Sequence, residues 1–320
     1  MVKTIIVSII LIIISVLGFL AYDYYSGPAH NFSIVSPVPN YLTGFVNKEV
    51  STINLWLPSL KNKITAKFQK PELSATSALV LDTTTGNVLY SKNPQQKLPM
   101  ASLTKITTAI IALENKNKTD KYLVAKEDLV GEDSMGLDVG EILSQKELLY
   151  GLMLHSGNDA AETFATNFKG GRKAFIKAMN DKVKSLGLFD TNFTNPTGLE
   201  GDGKQYTTSY DLVVLTKYAL DNFPIFSEVV STFDYTLVKT ATHKEYVLEN
   251  ETNLLTSYPG VKGVKTGYTP EAGYCLVTYL DYGGHKIIAV ILGSNDRRGE
   301  MIELLDYSLK SLGITPPDHG

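Results

Sequence analysis

The stretch LPMASLTKITTA, residues 98–109, decides how the fold of this 320-residue chain is interpreted. Pro99 comes just before residues with apolar positions at helical spacing, and this pattern predicts a helix from Ser102 to Leu113. Ser102 and Lys105 are three residues apart, so a helix places their side chains on one face. The helix start also offers backbone N–H groups that can hold an oxyanion beside Ser102.

This pairing of serine and lysine suggests an activated nucleophile. A serine hydroxyl is a weak nucleophile until a base removes its proton. Lysine can be that base if burial and a nearby cation lower its pKa. A polar pair on an ordinary helix surface would look similar, so the interpretation depends on what else the chain carries.

A second polar motif, Ser156-Gly157-Asn158, lies between two predicted helices. Ser156 is suited to relay a proton between Lys105 and a leaving amine. Asn158 is suited to hydrogen-bond the base and the substrate backbone. A polar loop between helices would look the same, so this motif alone is weak.

A third motif, Lys265-Thr266-Gly267, lies on a predicted strand whose edge can pair with an extended peptide. Lys265 adds positive charge, and the Thr266 hydroxyl can bind a terminal carboxylate. Gly267 leaves room for an acyl group close to the backbone. Together the three motifs predict a nucleophile with its base, a proton relay and a carboxylate-binding strand.

Strands are predicted near both ends of the region from about residue 73 to residue 316, with helices between them. This order predicts an α/β domain of the α+β type, with a central antiparallel sheet built from both chain ends and an inserted helical region. The predicted strands are 78–82, 87–90, 261–268, 273–280 and 286–292. The predicted helices are 102–113, one after a capping box at 144–147, one capped by Asp159 and running to 168, 175–186, 208–220 and 300–312.

The first 72 residues have a different character. Thr4 to Tyr22 carry no charge and are long enough to cross a bilayer, and Lys3 precedes them. Residues 1–22 are therefore expected to be an uncleaved anchor in the cell membrane, with the catalytic domain (73–316) extracytoplasmic. A cleaved signal segment, which would give a secreted protein, is the alternative. Residues 23–72 contain several prolines and are expected to be a spacer.

Composition excludes several classes of function. The net charge is −3, with 30 basic and 33 acidic residues interspersed, so no nucleic acid partner is indicated. The only cysteine, Cys275, lies in an apolar strand pattern and is expected to be structural. The five histidines have no metal-ligand spacing.

Four segments together resemble the low-molecular-mass penicillin-binding proteins, the serine-type D-alanyl-D-alanine carboxypeptidases. The nucleophile segment, LHSGNDAA at 154–161, FTNPTGL at 193–199 and GVKTGYT at 263–269 with AGY at 272–274 carry this resemblance. It spans roughly residues 73 to 315.

The resemblance implies a penicillin-recognising, transpeptidase-like fold without metal or organic cofactor. The implied reaction acylates Ser102 with a peptidoglycan stem peptide, releases D-alanine and hydrolyses the ester. β-Lactam antibiotics would acylate the same serine. By position, Lys105 would be the base, Ser156 and Asn158 relay and positioning groups, and Lys265 and Thr266 the carboxylate site. The backbone N–H groups of Ser102 and Tyr268 would form the oxyanion hole.

Several readings stay open at this point. A DD-endopeptidase that cuts peptidoglycan cross-links would use the same residues. Tyr268 directly follows the third motif, and the side chain at this position affects which leaving group the enzyme prefers, so the balance between the two activities stays open. A β-lactamase would need a carboxylate to activate water, and the E-x-x-x-N pattern at 249–253 lies too close to the third motif. A non-enzymatic binding module has no need of the Ser102–Lys105 pair. The β-rich C-terminal domain of many family members is expected to be absent.

Overall fold

The structure is a computed structural model that describes residues 56–64, 69–252 and 254–319. Residues Leu57–Gly320 form one compact unit. The expected anchor at 1–22 lies outside the described residues, as does most of the expected spacer. Among the described residues, none of the helices is long and apolar enough to cross a membrane.

A five-stranded antiparallel sheet forms the centre of the unit, in the order β2-β1-β9-β8-β7. The first two strands come from the start of the domain and the last three from its end, which confirms the predicted sheet built from both chain ends. The strands are β1 (Ser77–Asp82), β2 (Asn87–Lys92), β7 (Val261–Thr269), β8 (Gly273–Tyr282) and β9 (His285–Ser294).

Helices occupy the middle of the chain and its last segment. The nucleophile segment begins with a 3-10 turn (Ala101–Leu103), so the first α-helix starts at Thr104 and not at Ser102. The α-helices are α1 (Thr104–Glu114), α2 (Gln145–Leu154), α3 (Asn158–Thr166), α4 (Gly171–Ser185), α5 (Ser209–Asn222), α6 (Pro224–Val230), α7 (Leu254–Ser257) and α8 (Arg297–Ser311).

Four short strands were not predicted from the sequence. They form two ribbons, β3 (Tyr122–Leu123) with β4 (Ile142–Leu143), and β5 (Asp234–Leu237) with β6 (Tyr246–Glu249). Strands of two to four residues are too short to show a period-2 pattern, so the sequence gives little signal for them.

Both faces of the central sheet are covered, which explains the unbroken apolar run in β9. Ala289 packs in a core cluster with Leu304 and Leu305 of α8. The alternating residues Val290 and Leu79 point to the other face and are also fully buried, and α5 packs against β1 and β9. The sheet is therefore a rigid support, and its edge strand β7 carries the third motif.

Part of the expected spacer packs against this unit. Lys63 forms a parallel bridge with Val88 of β2, and Ile64 lies against the core cluster. The Tyr210 hydroxyl also donates to the Pro58 carbonyl at 3.1 Å. Residues 57–64 thus belong to the surface of the compact unit.

Candidate active site

The start of α1 brings the predicted nucleophile and base together. Lys105 Nζ lies 2.8 Å from Ser102 Oγ, 2.6 Å from Asn158 Oδ1 and 2.8 Å from the Thr197 carbonyl oxygen. Ser102 is partly exposed, whereas Lys105 is fully buried. One side chain therefore joins the nucleophile, the second motif and the middle segment.

Burial changes the acid–base behaviour of Lys105. Desolvation is the largest effect and moves its pKa well below the usual value of 10.5, and the charge of Lys265 lowers it further. All three oxygens around Nζ can accept a hydrogen bond, so a protonated amine is also accommodated. This environment suits a group that accepts a proton and returns it during a reaction.

The second motif sits where two helices meet. Ser156 is buried and has a left-handed backbone, with φ of 57°, which is uncommon for a residue other than glycine. Gly157 is the N-cap of α3, so Asn158 begins the helix and turns its side chain toward Lys105. Ala101, just before the nucleophile, also has positive φ, at 48°. Such backbone strain concentrates at functional sites.

Asp159 does not cap the following helix, and that prediction was wrong. Its carboxylate instead accepts hydrogen bonds from a loop: from the Ser134 hydroxyl and from the backbone N–H groups of Met135, Gly136 and Leu137. The Ala160 backbone N–H also donates to this carboxylate, at 2.8 Å, so five donors satisfy its buried charge. Asp159 therefore fixes the loop at 132–137 beside Asn158.

That loop also holds Asn158 directly. The Asn158 side-chain amide donates to the Glu132 carbonyl, and its backbone N–H donates to the Asp133 carbonyl at 2.8 Å. With its Nδ2 engaged, the Oδ1 atom is the one presented to Lys105.

The middle segment closes over the nucleophile helix. Asn195 Oδ1 accepts hydrogen bonds from Thr197 and from the Gly198 backbone N–H at 2.8 Å, which shapes a tight turn. The Pro196 carbonyl accepts from Thr108 Oγ1 at 2.6 Å. This turn delivers the Thr197 carbonyl to Lys105, a contact that the sequence did not reveal because it involves backbone.

The third motif runs along β7 next to the nucleophile. A Cβ added to Gly267 would lie 3.2 Å from the Ser102 backbone nitrogen and 3.2 Å from the Met100 carbonyl oxygen. A Cβ at this position would require the two backbones to move apart by a few tenths of an ångström, so glycine suits the close approach. The next residue, Tyr268, has a half-exposed side chain that packs on Tyr274.

Lys265 and Thr266 lie side by side in this strand. The Lys265 ammonium is buried and donates to the Thr266 carbonyl at 3.1 Å. Desolvation lowers its pKa to about 8, opposed in part by the charge of Glu251. Lys265 therefore keeps a positive charge at neutral pH.

Two charged residues at this strand were not singled out from the sequence. Arg297 donates to the Gly267 carbonyl at 3.1 Å, and its guanidinium lies over the Tyr274 ring. Glu251 accepts from the Thr266 hydroxyl at 3.0 Å and lies 3.8 Å from Lys265 Nζ. Neither residue has a local motif, since both reach the site from segments distant in sequence. Glu249, the acid considered for a β-lactamase, is exposed on β6.

Cys275 lies on β8, paired with Gly267, and is fully buried. Burial raises the pKa of its thiol to about 11, which suits the expected structural role.

The fold and the serine–lysine pair at the start of its central helix define a class, the penicillin-recognising enzymes with an active-site serine. Residues 64–296 match the D-alanyl-D-alanine carboxypeptidase family, peptidase family S11, and the chain belongs to that family. The resemblance inferred from the four segments is thereby confirmed.

Individual relatives agree with this assignment. The chain is 36% identical over 252 residues to the D-alanyl-D-alanine carboxypeptidase DacF of Bacillus subtilis, covering 76% of this chain but only 64% of that protein. It is 36% identical over 227 residues to a D-alanyl-D-alanine endopeptidase of Pseudomonas aeruginosa, covering 69% and 72%. The crystal structure of the Streptomyces K15 DD-transpeptidase superimposes with a TM-score of 0.71 at 33% identity, covering 76% of this chain and all of that one.

Proposed function

We propose that this protein is a serine DD-carboxypeptidase that removes the terminal D-alanine from peptidoglycan stem peptides. The observation that carries the proposal is the 2.8 Å contact between Ser102 Oγ and the buried amine of Lys105. The family assignment supplies the substrate class.

In the acylation step, Lys105 removes the Ser102 proton while Oγ attacks the carbonyl carbon of the penultimate D-alanine. The backbone N–H groups of Ser102 and Tyr268 stabilise the oxyanion. The peptide C–N bond then breaks, and the proton passes from Lys105 through Ser156 to the leaving amine. Water hydrolyses the resulting ester and regenerates the Ser102 hydroxyl.

Substrate recognition is assigned to the edge strand β7. The substrate pairs with the strand, and its terminal carboxylate binds the Lys265 ammonium and the Thr266 hydroxyl. A β-lactam presents a similar carboxylate and a strained amide, so penicillin should acylate Ser102 covalently.

The location of the protein is part of the same proposal. The uncharged run from Thr4 to Tyr22 is long enough to span a bilayer, and it would hold the enzyme at the outer side of the cell membrane.

The test is incubation of the full-length protein with a pentapeptide muropeptide and, separately, with a cross-linked muropeptide dimer, followed by mass spectrometry. Loss of one D-alanine from the pentapeptide supports the proposal, and the Ser102→Ala variant should abolish it. Cleavage of the dimer alone would replace the proposal with an endopeptidase. Many-turnover hydrolysis of a chromogenic cephalosporin would indicate a β-lactamase.

A further inference from the structure

A carboxylate of the protein occupies the position assigned to the substrate carboxylate. Glu251 Oε2 accepts a hydrogen bond from the Thr266 hydroxyl at 3.0 Å and lies 3.8 Å from the Lys265 ammonium nitrogen. These are the two groups to which the proposed function gives the terminal carboxylate of the substrate. Glu251 thus contacts the same two groups that a substrate carboxylate would use.

The backbone of Glu251 is firmly held, so this contact is built into the fold. Its N–H donates to the carbonyl of Leu154, the last residue of α2, at 3.2 Å. On one side, the buried Asn250 side chain donates to the carbonyls of Val230 and Thr232 and accepts from the Thr252 N–H. Thr252, on the other side, is 2% exposed.

The Glu251 side chain, in contrast, has room to move. It is 39% exposed, whereas its partner Lys265 is 1% exposed. A hydroxyl has one hydrogen to donate, so Thr266 cannot serve Glu251 and a substrate carboxylate with the same bond. A carboxylate substrate must therefore displace Glu251 toward solvent and place like charges near each other.

A substrate with a neutral group at this position avoids that repulsion. A carboxamide brings no negative charge, and Glu251 can stay beside Lys265 while it binds. The carboxamide N–H₂ group can even donate to Glu251, which a carboxylate cannot do.

We propose that Glu251 is a specificity-determining residue that weakens the preference for a free terminal carboxylate and admits peptides ending in a neutral carboxamide. This inference rests on the proposed DD-peptidase function and names its substrate class more closely. Glu251 acts on binding at β7. Its charge also raises the pKa of Lys105, an effect shared by both peptides, so the two are compared within each protein.

The experiment compares two substrates that differ only in charge: a blocked L-lysyl-D-alanyl-D-alanine peptide and its C-terminal amide. Release of D-alanine and of D-alaninamide is followed by mass spectrometry for the full-length protein and for Glu251→Gln. Because Glu251 raises the pKa of Lys265, rates are measured at pH 6, where Lys265 stays charged in both proteins. Glu249→Gln, an exposed acid two residues away on β6, is the matched control.

We expect Glu251→Gln to increase the ratio of kcat/KM for the acid peptide to kcat/KM for the amide about tenfold, which corresponds to about 1.4 kcal/mol. The change should come from a lower KM for the acid, with no loss of kcat on either peptide. Glu249→Gln should leave the ratio unchanged. Glu251→Ala, which frees the Thr266 hydroxyl, should shift the ratio in the same direction.

An unchanged ratio in both Glu251 variants would overturn the inference, as would an equal loss of kcat on both peptides, which would indicate a structural or catalytic role. Failure of the proposed function looks different. In that case the unmodified protein would release D-alanine or D-alaninamide from neither peptide, whether or not fluorescent penicillin labels it.

Discussion

The Thr197 carbonyl oxygen accepts a hydrogen bond from Lys105 Nζ at 2.8 Å. It completes a shell of three oxygens around a buried amine, with Ser102 Oγ and Asn158 Oδ1 as the other two. The three oxygens come from three separate segments of the chain, so the position of the base depends on the tertiary fold.

Replacing Lys105, the proposed base, tests this arrangement most directly. Lys105→Met keeps most of the side-chain volume but removes the proton acceptor, and we expect acylation by fluorescent penicillin to slow by about 10²-fold or more. The measurement is the rate of covalent labelling. Lys118→Met, an exposed lysine after α1, should label at the unmodified rate. An unchanged rate in Lys105→Met would exclude Lys105 as the base.

The two active-site lysines predict a bell-shaped pH profile. Lys105 must be neutral to act as base, and burial lowers its pKa well below 10.5, so activity should appear at a pH well below that at which an exposed lysine becomes neutral. Lys265 must be charged to bind a carboxylate, and its pKa is about 8. We therefore expect kcat/KM for an acid-terminated peptide to fall above about pH 8.

The amide-terminated peptide provides the control for that alkaline limb. Binding of this peptide does not depend on the charge of Lys265, so its kcat/KM should fall less than that of the acid-terminated peptide above about pH 8. Parallel profiles for the two peptides would contradict the assignment of the alkaline limb to Lys265.

The sequence was most informative where the chemistry lies in side chains of a short motif. Ser102, Lys105 and Asn158 were all predicted, and the structure brings them within hydrogen-bond distance. The antiparallel sheet built from both chain ends was also predicted, because apolar strand patterns lie at both ends of the domain, and β1 pairs with β9 in the structure. The order of the strands was not predicted.

The sequence was least informative where a backbone atom or a distant residue completes the site. The Thr197 carbonyl has no side-chain signature, and Asp159 looked like a helix cap because it lies near a helix start. Glu251 is 14 residues before Lys265, and the Arg297 contact with Gly267 spans 30 residues. The tertiary fold alone shows that Glu251 and Arg297 meet β7.

The buried charge of Lys265 should reduce stability in a pH-dependent way. A pKa of about 8 in the folded state and 10.5 in the unfolded state means that the unfolded chain binds more protons between these values. The free energy of unfolding contributed by this group therefore rises with pH, by on the order of 3 kcal/mol from about pH 8 to 10.5.

Lys265→Met removes that dependence. We expect the variant to be more stable than the unmodified protein at pH 7, and the advantage to shrink as pH rises to 10.5. Urea unfolding at several pH values measures the difference, and Lys262→Met, exposed on the same strand, is the control. A stability difference that stays constant with pH would show that Lys265 is not the titrating group.

Asp159 should be important for both stability and activity. Asp159→Ala leaves the buried N–H groups of Met135 and Leu137 without their acceptor. Unsatisfied buried donors cost about 1–3 kcal/mol each, so for the two N–H groups we expect a loss of roughly 2–6 kcal/mol in the free energy of unfolding. Acylation should slow as well, because the same loop positions Asn158.

The exposed Asp181 on α4 gives the comparison for that variant. It pairs with Lys177, four residues away on the helix surface, and Asp181→Ala should change stability by less than about 1 kcal/mol. Equal effects in the two variants would contradict the role given to Asp159.

Gly198 couples the middle segment to the nucleophile, and a pair of glycines tests that coupling. Gly198 and Gly201 both have left-handed backbones, with φ of 95° and 108°, so alanine is strained at either position. They differ in surroundings: a Cβ at Gly198 would lie 2.0 Å from the Ala101 carbonyl oxygen, whereas a Cβ at Gly201 meets nothing within 4 Å.

Gly198→Ala must therefore push apart the turn and the residue before Ser102, which also moves the Thr197 carbonyl away from Lys105. A displacement of about 1 Å in a reacting group can cost about 10²-fold in rate, so we expect penicillin acylation to slow at least tenfold. Gly201→Ala shares the backbone strain and should label within about twofold of the unmodified protein. Similar labelling rates for the two variants would show that backbone strain alone matters, and that the contact between the middle segment and the nucleophile does not control the reaction.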